Sequence, residues 1–351
     1  MRATRPANGS ETAGPVLDLG LRSNTELPHY ALITPLSNIV TARRHLELSS
    51  RIPSVPELKI TRRHFLQGVA AAPLVAISAT SAYASLIEPY HYHVSETDIF
   101  IHDLPDRFEG FRITQLTDVH HSRIVPIDQV HRVVQLARAT NPDLIALTGD
   151  YTTSYRRYIE PCVEALGLLN APEGVWAVLG NHDHYTDPEL TTRALERNHL
   201  AVLNNRNTTI RRGADAIQLS GIDDWSWAGA DWLRAFLGLD ERRCTILLSH
   251  QPIVLDLPES QKASLILSGH THGGQINLPL VGAPARFAAK DLKYAWGLFR
   301  RGRTQLYVSS GTGVIGLPVR FGVRPEIAVL RLRRALVAVS DGPHIGKGKG
   351  Q

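Results

Sequence analysis

Sulfur is nearly missing from this chain. Met1 is its only methionine, and Cys162 and Cys244 are its only cysteines in 351 residues. Two cysteines allow one pairing, so a small disulfide-stapled scaffold is excluded; both are expected as buried free thiols. Long hydrophobic runs are missing too. No apolar stretch approaches the ~18 residues of a spanning helix, which excludes a polytopic membrane protein. No internal repeat is present. The basic surplus is confined to one end: residues 1–84 hold nine basic and five acidic side chains, whereas 85–351 are nearly balanced at 29 to 28. A near-neutral body gives nucleic acid no electrostatic handle, so no nucleic-acid partner is expected. No Gly-x-Ser-x-Gly elbow and no Cys-His signature appears, so no side-chain nucleophile is evident.

What is present begins with the N-terminal segment. Thr61-Arg62-Arg63-His64-Phe65-Leu66-Gln67 precedes an uncharged stretch, Gly68 to Ala79, and then the small-x-small pattern Ala82-Tyr83-Ala84. A basic start, an apolar centre and a small-residue end are the parts of a secretory signal, and the paired arginines followed by Phe-Leu resemble a twin-arginine export signal. A buried helix is the alternative reading. The expectation is a signal at 61–84, passage through the twin-arginine translocase, a mature start at Ser85 and a location in the periplasm or cell envelope. An uncleaved signal kept as an anchor is the other outcome. Residues 1–60 carry scattered prolines and no sustained period, so they read either as a disordered leader or as a mis-assigned start, with translation beginning near Val55 or Leu58.

The body, expected over 85–334, alternates short apolar runs with helical patterns. Residues 111–116 alternate like a strand. Val130, Val133, Val134 and Ala137 give a helix over about 126–140, stopped by Asn141-Pro142-Asp143. Leu144 to Leu147 reads as a buried strand, 158–169 as a helix and Val175 to Leu179 as a strand. Further strands are expected at 217–220, 244–249, 265–268, 305–309 and 326–332, with helices near 188–197 and 231–237. Strand–helix alternation followed by closely spaced strands argues for an α/β body with a mixed sheet or a pair of sheets. Residues 335–351 read as a flexible tail.

Five polar motifs close the predicted strands: Asp118-Val119-His120, Gly149-Asp150, Gly180-Asn181-His182-Asp183, Ser249-His250 and Gly269-His270-Thr271-His272. Strand ends are where α/β folds place reacting groups. Carboxylate, imidazole and amide suit Mn, Fe or Zn, and the glycines before Asp150, Asn181 and His270 permit close backbone approach.

In these motifs the sequence resembles the calcineurin-like metallophosphoesterases over roughly residues 111–332. Gly221-Ile222-Asp223-Asp224, Gly273-Gly274-Gln275 and the stretch from Tyr307 to Pro325-Glu326, together with the twin-arginine pattern, are similar to the bacterial exported branch. The resemblance implies an α/β fold, a four-layer α/β/β/α sandwich of two mixed β-sheets flanked by helices. It also implies two divalent metal ions, Mn, Fe or Zn. Asp118, His120 and His272 would hold one and Asn181, His250 and His270 the other. Asp150 would bridge them with one oxygen for each. A shared hydroxide would then attack the phosphoryl group in line. His182 would serve the leaving group as its acid, oriented by Asp183.

Other residues admit two readings. His121 and His184 read as substrate contacts or solvated loop histidines. Asp223 and Asp224 read as outer support of the ligands or as caps. Trp225, Trp227 and Trp232 read first as core and second as an apolar lip. Arg156 and Arg157 suit an acidic substrate but read first as a solvated helix start. The 285–300 segment, with Arg286, Phe287, Lys290, Lys293, Tyr294 and Trp296, reads as a substrate- or membrane-facing flap. The leading function is a phosphodiesterase acting on a small-molecule or lipid-linked phosphoester, with peripheral membrane contact left open. A lipid-linked pyrophosphate hydrolase of the UDP-diacylglucosamine type is the alternative substrate class. A metal-free binding module on the same fold is the alternative from another class.

Overall fold

The computed structural model describes residues 61–227, 229–284 and 293–335. The expected leader, the tail beyond 335, and Arg286, Phe287 and Lys290 lie outside the described residues. The described chain opens with helix α1 (Arg62–Leu86) and then strand β1 (His93–Ile101). It continues with β2 (Arg112–Leu116), α2 (Ile127–Ala139), β3 (Leu144–Leu147), α3 (Ile159–Leu166), β4 (Val175–Ala177), α4 (Asn181–Thr186), α5 (Pro188–Arg197) and β5 (Ala201–Val202). The second half supplies β6 (Arg206–Arg212), β7 (Asp215–Gly221), α6 (Trp232–Ala235), β8 (Thr245–Leu248), β9 (Leu265–Ser268), β10 (Gly297–Arg301), β11 (Thr304–Val308) and β12 (Glu326–Arg334).

These strands form two six-stranded mixed sheets, ordered β1-β12-β2-β3-β4-β5 and β10-β11-β9-β8-β7-β6. In the first, only β12 against β2 is antiparallel; in the second, the outer pairs β10–β11 and β6–β7 are. Side chains alternate across a strand, and three apolar layers follow from that alternation. Ile145 and Leu147 of β3 face the helix side with α2, α3 and α5, while Leu144 and Ala146 face the interior between the sheets. Ile246 and Leu248 of β8, with Leu265 and Leu267 of β9, meet them there. Leu247 and Ile266 turn to the far side, where Ala235 and Val254 cover them. A strand buried on both faces is apolar on both, hence the apolar runs at 144–147, 246–248 and 265–267. The family architecture of two mixed sheets flanked by helices is therefore present, and Cys162 and Cys244 are buried free thiols.

Several boundaries differ from the sequence reading. The strand expected to Leu179 ends at Ala177, because residues 178–180 leave the sheet to carry a site loop. The helix expected over 231–237 is one turn. The strands β1, β5, β6 and β10 were not foreseen. The edge strands β1 and β6 carry charged or polar residues on exposed faces, as edges do. The largest difference is α1. One unbroken helix runs from Arg62 to Leu86, and it is long and apolar enough to cross a membrane. No Asp, Glu, Lys or Arg lies between Arg63 and Glu88. The small and hydroxyl residues after Ile77 prolong the helix without adding charge.

The loop 309–325 is organised around Arg320, which is fully buried. Its guanidinium donates to the carbonyls of Ser310, Gly311, Gly313 and Val323. Burial lowers its pKa to about 10, so it remains a cation at neutral pH.

Candidate metal centre

Each site loop begins where a parallel strand ends, and neighbouring loops continue the pairing of their strands. Asp118 N–H donates to the Gly149 carbonyl at 2.9 Å and His120 N–H to the Asp150 carbonyl at 3.0 Å. Gly269 N–H reaches the His250 carbonyl at 3.0 Å. Five of the seven expected ligands, Asp118, His120, Asp150, His270 and His272, sit in the left-handed region with φ between 50° and 71°. Each such residue costs on the order of 1 kcal/mol or more. Five together on the loops after three strands, β2, β3 and β9, mark where the fold holds strain against packing and hydrogen bonds. Sequence reasoning could not see this signal.

All seven expected ligands come together. His120 Nε2 lies 3.0 Å from His272 Nε2 and 3.9 Å from Asp118 Oδ1, and His272 Nε2 lies 3.3 Å from Asp118 Oδ1. Beside them, Asn181 Oδ1 is 2.9 Å from His270 Nδ1 and 3.1 Å from His250 Nε2. Asp150 stands between the two groups. Its Oδ2 is 3.4 Å from His120 Nε2 and 3.2 Å from His250 Nε2, whereas Oδ1 accepts the His182 N–H at 2.9 Å. Of the carboxylate expected to bridge, Oδ2 faces both groups, while Oδ1 is held by a backbone amide.

Buried supports fix the donors. His250 Nδ1–H donates to the Thr148 carbonyl at 2.8 Å, turning Nε2 toward Asp150. Asp118 accepts from Thr117 Oγ1 at 2.8 Å and from His270 N–H at 2.9 Å. Gly311 and Gly313 back Asp118 so closely that a Cβ would meet Asp118 Cβ at 2.7 Å and the Val119 carbonyl at 2.2 Å respectively.

The electrostatics fit a cation site. Burial lowers His120 to about 3, Asp150's attraction notwithstanding, and lowers His272 well below the usual imidazole value. Burial raises Asp118 to about 6. At Asp150 burial pushes upward, but His250 and His120 overcome it and hold the carboxyl well below the usual range. His250 is the counterpart: burial opposes its charge, yet Asp150 raises it to about 10. Its proton stands where positive charge is wanted, and a divalent ion taking that role displaces it. Imidazole nitrogens that converge on carboxylate oxygens are a donor set for borderline divalent metals. Asp118, His120 and His272 form one such group, and Asp150, His250 and His270 another.

His182 and Asp183 depart from expectation. The Asp183 carboxylate is fully buried and accepts the N–H groups of Asp150, Tyr151 and Gly180 at 2.8, 3.0 and 2.9 Å. It fastens the loop after β3 to the loop after β4. The His182 ring is oriented instead by Nδ1–H donating to the Thr153 carbonyl at 2.5 Å. Thr153 acts through its backbone, so no side-chain pattern announces it. A ring nitrogen of His182 still falls within 4.8 Å of donor atoms of His120 and Asp150.

The residues with two readings are now placed. His121 is buried, with Nδ1 at 2.8 Å from the Val125 carbonyl, and is not a solvated histidine. His184 pairs with Asp223 at 2.6 Å and stacks on Trp227 at 6.0 Å between centroids. Burial opposes its charge, but Asp223 lifts it above the ordinary imidazole value. Asp223 also accepts from Asn204 at 2.9 Å. Asp224 accepts from Ser226 N–H at 2.9 Å as a cap, and from Gln251 Nε2 at 3.2 Å. Trp225 and Trp227, read first as core, are 42% and 51% exposed, while Trp232 packs on the third apolar layer. Arg156 is exposed and paired with Asp187. Lys293 and Tyr294, read as flap residues, are turned to Asp256 at 2.7 and 2.9 Å.

Gly180 tests how tightly the loops are set. Its backbone, at φ −108°, accepts any residue, but a Cβ there would lie 2.2 Å from Asp150 Oδ1. Gly180→Ala is therefore expected to shift Asp150 and to lower activity by about 10²-fold, the usual cost of an ångström of misplacement. Metal titration should show weaker binding, and circular dichroism an intact fold. Unchanged affinity would mean that the loop yields freely.

Comparison with known proteins agrees with this geometry. A family model described as calcineurin-like phosphoesterase matches residues 111–274. The metallophosphoesterase YkuE of Bacillus subtilis is 32% identical over 78% of this chain and 98% of its own length. The phosphodiesterase YaeI of Escherichia coli is 31% identical over 78% of this chain and 99% of its own. A zebrafish transmembrane protein with a metallophosphoesterase domain is 31% identical over 82% of this chain and 68% of its own.

Proposed function

The chain belongs to the calcineurin-like phosphoesterases, hydrolases of phosphoesters, and from that premise we propose that it is an exported phosphodiesterase working with two divalent ions. The observation that carries the reading is Asp150 Oδ2, one buried oxygen facing two donor groups at 3.2 and 3.4 Å. Asp118, His120 and His272 would hold one ion, and Asn181, His250 and His270 the other. When bound, such a pair of ions supplies a water of lowered pKa and draws charge from the phosphoryl oxygens.

The chain's own groups do the rest. Thr148 and Thr117 fix the donors, Asp183 ties the two central loops together, and the Thr153 carbonyl sets the His182 tautomer. With Nδ1–H committed, Nε2 is the nitrogen left to carry a proton to the leaving oxygen. The name of the Escherichia coli relative supports a diester as substrate. Export is read from Arg62, Arg63 and the apolar helix that follows.

The test is an assay of the purified protein after chelation and after reloading with Mn²⁺, Zn²⁺ or Fe²⁺. An alkyl diester, a nitrophenyl monoester and a nucleotide-lipid pyrophosphate are offered side by side. Activity should vanish with the metal and return on reloading, with the diester turned over fastest. Preference for the pyrophosphate would move the substrate class. A protein that takes up no stoichiometric metal would be a binding module.

A further inference from the structure

Residues on both sides of the Ala84–Ser85 bond are tied to one loop of the body. The Ala84 carbonyl accepts the Arg320 N–H at 2.9 Å. The Glu88 carboxylate, itself buried, accepts the Val323 N–H at 2.9 Å. Between them the helix is continuous: Ile87 N–H donates to the Tyr83 carbonyl at 3.0 Å, and Ser85 Oγ–H to the Ser81 carbonyl at 2.7 Å. Peptide substrates are commonly bound extended, their backbone paired to the partner. Here the small-residue pattern is wound into helix, and Ala84 is buried. A twin-arginine passenger crosses folded, so the bond arrives at the outer face already in this state.

The same helix stands almost bare. Phe65, Leu66, Leu74 and Val75 are 56–69% exposed. In water that is a large apolar patch of the kind that marks a partner or a membrane. The 23 uncharged residues from Phe65 to Ile87 extend ~34 Å at ~1.5 Å per residue, against ~30 Å for the hydrocarbon core of a bilayer. Arg62 and Arg63 stand at one end only, the arrangement that keeps that end cytoplasmic. Where the helix meets the body, exposed apolar side chains surround it: Ile87, Tyr90, Ile124 and Leu317. Tyr90, Ile124 and Pro318 line one narrow cleft. Ile124 belongs to the loop that follows Asp118 and His120. Leu317 and Pro318 belong to the loop whose Gly311 backs Asp118.

We propose that α1 is kept after export as a single-span anchor in a lipid bilayer, with the body resting on the membrane by the loops that frame the metal centre. The proposal rests on the export reading for which side the body occupies and for the folded state in which the Ala84–Ser85 bond reaches the outer face. Cutting after Ala84 would free the carbonyl-bearing half of a stitch whose other half, Glu88, stays with the body.

The full chain, expressed with its own export route, tests this. Membranes are washed in high salt and alkaline carbonate and then extracted with detergent, and the N-terminal peptides are read by mass spectrometry. The chain should survive both washes, leave with detergent, and yield a peptide spanning Ala84–Ser85. A chain beginning at Ser85, or one released by carbonate, overturns the proposal. Leu74→Glu with Ile77→Glu should move the phosphoesterase activity to the soluble fraction at unchanged kcat; a doubly charged helix still held by membranes would also overturn it. Protease added outside the membrane reads export separately. A sheltered body on an intact membrane helix supports the anchor and refutes export instead.

Discussion

Replacing Asp150 by asparagine is expected to abolish phosphoester hydrolysis, by more than the ~10²–10³-fold lost when one stabilising donor is removed, and to leave the protein short of metal. The substitution keeps size and shape, so it isolates chemistry from packing. Its consequence follows from how the two oxygens are used. Oδ1 accepts the His182 N–H at 2.9 Å, and Oδ2 faces His120 and His250. An amide has one oxygen. If that oxygen keeps the His182 N–H, the NH₂ group points at the cations and repels them. If it turns to the cations, the NH₂ group meets the His182 N–H, and a part-buried donor loses its partner. Neither rotamer serves both tasks, and in either case the compensating negative charge is gone. Elemental analysis of Asp150→Asn should find less metal than in the wild type, with the circular dichroism spectrum unchanged. Full occupancy together with full activity would remove Asp150 from the bridge.

Much of this could be read in the sequence, for a physical reason. Strands buried on both faces are apolar on both, so 144–147, 246–248 and 265–267 stand out as apolar runs, and each leads into a ligand motif. What escaped was whatever does not depend on side-chain identity. Left-handed backbone at Asp118 or His270 has only a weak residue-type signal, since aspartate and histidine adopt it more often than most residues but far less often than glycine. The Thr153 carbonyl that turns His182, and the Thr148 carbonyl that turns His250, belong to backbone any residue supplies. Asp183 was misread because adjacency in the chain suggested adjacency in space. On the first turn of α4, neighbours point apart, and its carboxylate goes to the amides of the loop after β3. The exposed Trp225 and Trp227 were misread by composition, as aromatics are more often core. The length of α1 was underestimated because alanine, serine and threonine interrupt an apolar run on paper but not a helix.

The correction at Asp183 sharpens what should be expected of His182. With Nδ1–H held by the Thr153 carbonyl at 2.5 Å, Nε2 is the ring nitrogen left to hold the proton that is passed on. That suits an acid whose task is to protonate a departing oxygen. The need for it varies with the leaving group: a nitrophenolate departs as a weak base, while an alkoxide does not. His182→Ala is therefore expected to slow an alkyl diester by about 10²–10⁴-fold, the range for general acid catalysis, and a nitrophenyl ester by clearly less. Metal content should stay at the wild-type level. That readout matters because a ring nitrogen of His182 lies within 4.8 Å of donor atoms of His120 and Asp150, near enough for a ligand. Metal lost along with activity would make His182 a ligand. Equal slowing of both esters with metal retained would make it a fixed charge that steadies the transition state without passing a proton. Only unequal slowing with metal retained identifies the acid, and Thr153, acting through its carbonyl, would then be the group that keeps it in the right tautomer.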